Sequence, residues 1–439
     1  MKLRINYNYI NIIIISSFFF FWGLNFENTV IQNKNIKVSY LIILLIIPII
    51  FNLIKNNYIS LKQVFNYQKY IIFFTLFVIV HYFFVKIYYD KIISKSEIFN
   101  LFYLFLLSII YCHYRNFIND NFKKILTVYL IIFVLVSIFE GAGIYNKGQC
   151  NSDIYLINIL REYLNITLTN SIYKENSHLA MMSTAVIFSS LFILLKEKKK
   201  YSLFLLLSSI GIIILLNNLS TTYFVCYFVS QVTILLFFFK KIDIKFWVIT
   251  LLILSVNSYL FLSDKNCVKK IQDFEIESII KNDLEKKEVN LTTLIYQRSI
   301  IIAKNTIINH SLGWGIDGMD DATKELHNDY FICNKQSSPD KCESVNIIYW
   351  PLYYLNIKDG LTNSFKLITE YGIFAFFIFI MFIKYMISLK NINSYNIFII
   401  CLFVTLCIRG AGYFNGGFIF CLLEFFYFQN INFKSNKVY

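Results

Sequence analysis

Apolar runs of about 16 to 23 residues recur roughly a dozen times along the chain, each close to the ~20 residues that a helix needs to cross ~30 Å of hydrocarbon. This recurrence constrains the fold more than any other feature, since it leaves little chain for anything but a helical membrane bundle. Composition agrees: 57% hydrophobic, 19% aromatic and only 15% charged residues fall outside the range of a soluble globular protein. The spacing predicts an all-α polytopic membrane protein with about 12 transmembrane helices. They fall near 9–24, 38–54, 70–88, 98–113, 125–140, 178–195, 202–218, 222–239, 246–263, 367–388, 395–410 and 416–430. The first is read as a retained helix, because no small-residue cleavage site follows in "FFFFWGLNFENT".

Lysine and arginine in short loops stay on the cytoplasmic side. With the N-terminus inside, the inner segments hold 19 cations, among them Arg115, Lys196, Lys240, Lys241 and Lys390, against Asp120, Glu197 and Asp243. That bias places both termini in the cytoplasm. It also accounts for the net charge of +14 through anionic lipid, with no nucleic acid partner.

Residues 1–263 then form helices 1–9, with a shorter external loop at 141–177; residues 264–363 form a large external loop, and 364–439 hold helices 10–12. The large loop carries 15 of the 27 acidic residues and is far longer than a connection requires, which marks it as functional. Cys333 and Cys342 bracket the turn-rich "CNKQSSPDKC" and are a disulfide candidate in an oxidising compartment. No Walker loop, dinucleotide fingerprint or metal-ligand spacing is present, so neither cofactor nor metal is expected. Charged groups are nearly absent from the middle of the spans, which argues against a transporter.

Polar groups at the membrane lip are costly and become candidates for function. In "YKENSHLAMM", Glu175 and His178 stand where a helix opens, with Asn176 or Ser177 as its cap. Arg298 begins an amphipathic stretch suited to the outer membrane surface, followed by a turn with Gly313, Trp314 and Gly315 whose backbone N–H groups are candidates to face an anion. His327, in "KELHNDYF", carries an imidazole, a side chain whose ordinary pKa near neutrality suits proton transfer from a sugar hydroxyl. "TNSFKLITEYG" has Asn363 or Ser364 as its helix cap, and "CIRGAGYFNGG" sets Arg409 at the end of a helix. All five stretches fall on one side of the membrane.

Three of them carry a resemblance. "KENSHLA", "QRS" followed by "GWGID", and "IRGAGYFNGG" resemble, in this order, motifs of the Wzy-type O-antigen and polysaccharide repeat-unit polymerases, relatives of the O-antigen ligases. Asn176 stands where that family usually has proline. The likeness covers residues 125 to 430 or so, and the earlier spans match only in hydropathy.

The resemblance implies a GT-C-like bundle in the bacterial inner membrane with a large periplasmic loop. It implies joining of repeat units carried on undecaprenyl pyrophosphate, without a cofactor, alongside membrane lipid and with a flippase and a chain-length regulator as partners. Arg298 and Arg409 would hold the pyrophosphate. His327, His178 or Glu175 would serve as base, Trp314, Tyr413 and Phe414 would face sugar or isoprenoid, and Asn363 would bind sugar or cap its helix. Thr362 stands where the ligases carry a histidine, which counts against ligase activity. Ligase and lipid-linked oligosaccharide flippase remain the alternative readings.

Overall fold

Hydrocarbon offers no partner for a backbone N–H or C=O, so an apolar run folds as a helix that satisfies them within its own segment. The computed structural model describes residues 69–91, 93, 95–141, 176–197, 221–262, 291–325, 362–410 and 417–435, with Ile12, Ile13, Ile15 and Ile46. Among them every regular element is helical. The first half contains α1 Lys69–Tyr88, α2 Lys95–Gly141, α3 Asn176–Glu197, α4 Thr221–Phe238 and α5 Ile244–Leu262. The second contains α6 Leu291–Asn309, α7 Asn363–Tyr371, α8 Phe374–Ser388, α9 Ser394–Ile408 and α10 Phe418–Ser435.

α3 and α9 pack most extensively and form the centre; residues 180–193 and 394–406 are buried on every side. Small residues four apart on α3, Ala180 with Thr184 and Ala185 with Ser189, let its backbone approach its neighbours closely. α4 packs on both, and α10 joins α1, α8 and α9.

The outer helices split their faces. On α1, Ile71, Phe74, Val78 and Tyr82 turn inward, while Phe73, Leu76, Val80, Phe84 and Ile87 are exposed. Such a stripe would be an aggregation surface in water and is what a helix shows to lipid. Among the described residues three helical segments, Lys69–Tyr88, Glu97–Leu135 and Thr222–Lys241, are long and apolar enough to cross a membrane, and shorter apolar helices pack beside them. These helices mark the chain as a helical membrane protein.

The bundle has two distinct ends. At one, Lys196 Nζ donates to Ile392 O at 3.1 Å, Lys241 Nζ to Leu389 O at 2.6 Å and Asn393 Nδ2 to Asn119 Oδ1 at 3.0 Å. At the other lie the end of α1, the 310–325 segment, the start of α7 and the end of α9.

Two expectations from hydropathy are corrected. The runs 98–113 and 125–140 belong to the single helix α2, whose 47 residues make it about 70 Å long. The intervening "YRNFINDNFKK" has no glycine or proline to break it, and its arginine is neutralised within the protein. Arg115 lends Nε and Nη2 to Glu424 at 3.0 and 2.7 Å. Glu424 is fully buried in α10 and also accepts from Tyr111, which lies 3.0 Å from the Tyr395 hydroxyl. The bundle interior therefore holds an ion pair where the sequence suggested almost no charge.

The run 367–388 is instead two helices, α7 and α8, broken at Gly372 with φ +54°. The cap of α7 is Thr362, whose hydroxyl accepts from Phe365 N at 3.1 Å, rather than Asn363 or Ser364. The spans at 9–24, 38–54 and 202–218 lie almost wholly outside the described residues, as do Cys333 and Cys342.

Candidate functional site

At the end opposite Lys196 and Lys241, α6, α7 and α9 close on one another. Tyr296 of α6 donates its hydroxyl to Ile408 O at 3.3 Å and meets the ring of Phe365 edge-on at 5.6 Å, so it touches both α9 and α7. Burial pushes its phenol above the ordinary range, which keeps the proton available for that bond, while the nearby Arg409 charge acts in the other direction. Ser364 of α7 donates to Cys407 O of α9. Each pair of the three helices is thus joined by a direct contact.

Arg298, two residues beyond Tyr296, is 8% exposed. Arg409 caps α9 in extended backbone, its N–H donating to Thr405 O at 2.9 Å. Asn363 stands at the start of α7, which packs on both α6 and α9. It is fully buried, and neither its amide oxygen nor its amide nitrogen finds a hydrogen-bond partner among the described residues. A buried amide left unsatisfied costs about 1–3 kcal/mol per group, so this position calls for a partner such as water or a ligand. Gly410 lies against it: a Cβ there would collide with the Asn363 amide and backbone N. The tight approach of "RG" to "TN" therefore requires glycine. An unsatisfied amide at the positive end of α7, with Arg298 on α6 and Arg409 at the end of α9, the two helices packed on it, has the chemistry that suits a polyanionic ligand such as a phosphate ester.

The glycine-rich turn has a different use from the expected one. Gly313 N donates to His310 O at 2.7 Å, Trp314 N to Thr369 O at 3.0 Å and Gly315 N to Glu370 O at 2.8 Å. Ile373 N returns a bond to Ser311 O at 2.9 Å. The N–H groups that sequence offered to an anion are spent on bracketing the α7–α8 break. Gly313 and Gly315 have φ of +81° and +78°, and a Cβ on Gly313 would strike Glu370 O. Gly313→Ala is accordingly expected to destabilise the protein by about 2–3 kcal/mol, read as a lowered unfolding midpoint in detergent.

Trp314 is likewise closed off, at 2% exposure. Tyr89 stacks on it at 5.4 Å, His310 lies at 4.2 Å and Lys91 sits over its ring at 5.1 Å. Its face is not open to a sugar.

Beside this bracket runs a charged network that sequence reasoning missed. Lys86, 2% exposed, bonds Glu97 and Asp321, each at 2.9 Å. Tyr82 donates to Glu97 at 2.8 Å, and Asn100 donates to Asp317. Lys366 stands 3.7 Å from both Asp317 and Glu370. Lys86 at the end of an apolar run and "DGMDD" after the glycines were the available signals. The network anchors the 310–325 segment to α1, α2 and α7, which in turn holds Asn363 in register.

The remaining candidates fall elsewhere. α3 opens at Asn176 on this same end, but the side chains of Asn176, Ser177 and His178 lie outside the described residues, as do Glu175, His327, Tyr413 and Phe414. Among the described residues no group of three His, Cys, Asp or Glu side chains is placed to hold a metal ion. No protein family, curated protein or solved structure matches the chain.

Proposed function

We propose that the protein polymerises oligosaccharide repeat units carried on undecaprenyl pyrophosphate, with the end of the bundle that holds Lys196 and Lys241 in the cytoplasm and the α6–α7–α9 junction facing the periplasm of a bacterial inner membrane. One observation carries the reading: the motif residues Arg298 and Arg409, about 110 residues apart, lie on helices that close around the buried, unsatisfied Asn363.

In this reaction the bond from the sugar's anomeric carbon to the pyrophosphate oxygen breaks. A bond from that carbon to a hydroxyl oxygen of the next unit forms. The hydroxyl proton passes to a base, and undecaprenyl pyrophosphate leaves with the bonding pair. Charge grows on the leaving oxygens as the bond opens, and preorganised donors aimed there lower the barrier most. Arg298 and Arg409 fill that role, and Asn363 offers its amide to a phosphate or sugar oxygen. His327, His178 and Glu175 are the candidate bases. Thr362 is buried and occupied with capping α7, so the position where the ligases carry histidine holds no base here.

Purified protein in liposomes, supplied with lipid-linked repeat units alone, is expected to make a ladder of longer lipid-linked chains and release undecaprenyl pyrophosphate. A product made only when lipid A core is added would replace polymerase by ligase. A second reading, transport of lipid-linked units, draws on the buried Arg115–Glu424 pair, since ionic groups inside a bundle often mark a path for substrate or protons. Movement of units across the liposome without elongation would establish it.

A further inference from the structure

α6 has two faces, and only one belongs to the site. Arg298, Ser299, Ile302, Ala303 and Thr306 are buried against the protein. On the opposite side Ile300, Ile301 and Ile307 are 41–44% exposed and Ile308 is 67% exposed. At 100° per residue, the exposed Lys304 falls at the middle of their arc, one turn from each isoleucine pair. The whole helix contains no acidic residue.

The level of this face is set by its neighbour. Ser311, two residues past the end of α6, accepts from Ile373 N, and Ile373 is 61% exposed. From there an exposed apolar stripe runs down α8 through Phe376, Phe377, Ile380, Ile383 and Ile387. α8 is one of the apolar helices of the bundle, whereas α6 is not apolar enough to join them. The isoleucine face of α6 thus continues the stripe of α8 where that stripe reaches the end of the bundle.

We propose that α6 is an interfacial helix seated in the phospholipid leaflet at this end of the bundle. Its four isoleucines reach the acyl boundary and Lys304 extends to lipid phosphate. An apolar arc with a cation at its centre and no carboxylate is the pattern such a surface binds. A long lysine can keep its head among phosphates while its stem lies along the apolar surface. The seat holds Arg298, on the reverse face, near the depth of the headgroups, where a lipid-borne phosphate arrives by lateral diffusion. The inference stands whichever reaction the site performs.

The test uses the full chain in nanodiscs of equal phosphatidylglycerol and phosphatidylcholine, with Ile301→Trp or Ile308→Trp introduced and parent fluorescence subtracted. The added tryptophan is expected to be quenched by acyl-brominated lipid and shielded from aqueous iodide. Brominating only phosphatidylglycerol should quench more than brominating only phosphatidylcholine, reflecting an enrichment of about fivefold around one lysine. Lys304→Glu and Lys304→Gln should each remove that preference. Quenching by iodide alone would place the face in water, and quenching by neither would mean that another segment or a second copy covers it; both overturn the proposal. Equal quenching by the two lipids would overturn the role of Lys304.

Discussion

Arg409→Lys and Arg298→Lys are each expected to slow chain elongation by about 10²–10³, with the protein still present in the membrane at parental abundance. Lysine keeps the charge, so the expected loss measures the planar fork that grips two phosphate oxygens at once. A loss of this size corresponds to about 3–4 kcal/mol in the barrier, the usual consequence of removing one donor aimed at developing charge. Normal elongation by both variants would remove the arginines from catalysis and leave Asn363 as a packing peculiarity. The assay is product length against time from lipid-linked units, with folded protein quantified in the same samples.

Glu424→Gln is expected to have the largest effect on stability, about 3–5 kcal/mol, because it leaves Arg115 buried without its counterion. The pair spans 309 positions in sequence and joins α2 to α10, so its loss should loosen the bundle rather than one helix. Replacing both partners, as Arg115→Met with Glu424→Leu, should restore most of the stability, since a well-packed apolar pair carries no desolvation cost. Thermal unfolding in detergent of the two single variants and the double variant forms the cycle that isolates the interaction. A Glu424→Gln protein that unfolds like the parent, yet no longer moves lipid-linked units, would shift Glu424 from architecture to transport.

Hydropathy located α1, α3, α4, α5, α9 and α10 to within a few residues, because one physical requirement, satisfying the backbone in hydrocarbon, dictates both the run and the helix. It misjudged α2 because a cation was taken as the edge of a span, and the carboxylate that neutralises it lies in another apolar run. The α7–α8 break was legible in part, since glycine after "ITEY" is a helix-stop signal. Its bracket was not: the 311–315 segment pairs with residues more than 50 positions away, and no local pattern announces that partner.

The site divides in the same way. Arg298, Asn363 and Arg409 stood out because polar groups at a membrane lip are rare and expensive. The helices that carry them are joined through Tyr296, Ser364 and Gly410, residues with no distinguishing chemistry of their own. "GWG" was conspicuous for the opposite reason. Its glycines serve positive φ and close packing, and only the hydrogen-bond partners reveal that the N–H groups are already used.

The central claim is that this junction elongates lipid-linked polysaccharide, and the banding of surface polysaccharide tests it most directly. The parent strain should show a ladder, and a strain lacking the gene should show surface lipid bearing a single repeat unit. The gene carrying Arg409→Lys should fail to restore the ladder. An unchanged ladder without the gene would contradict the account, as would full-length polymer stranded on undecaprenyl pyrophosphate.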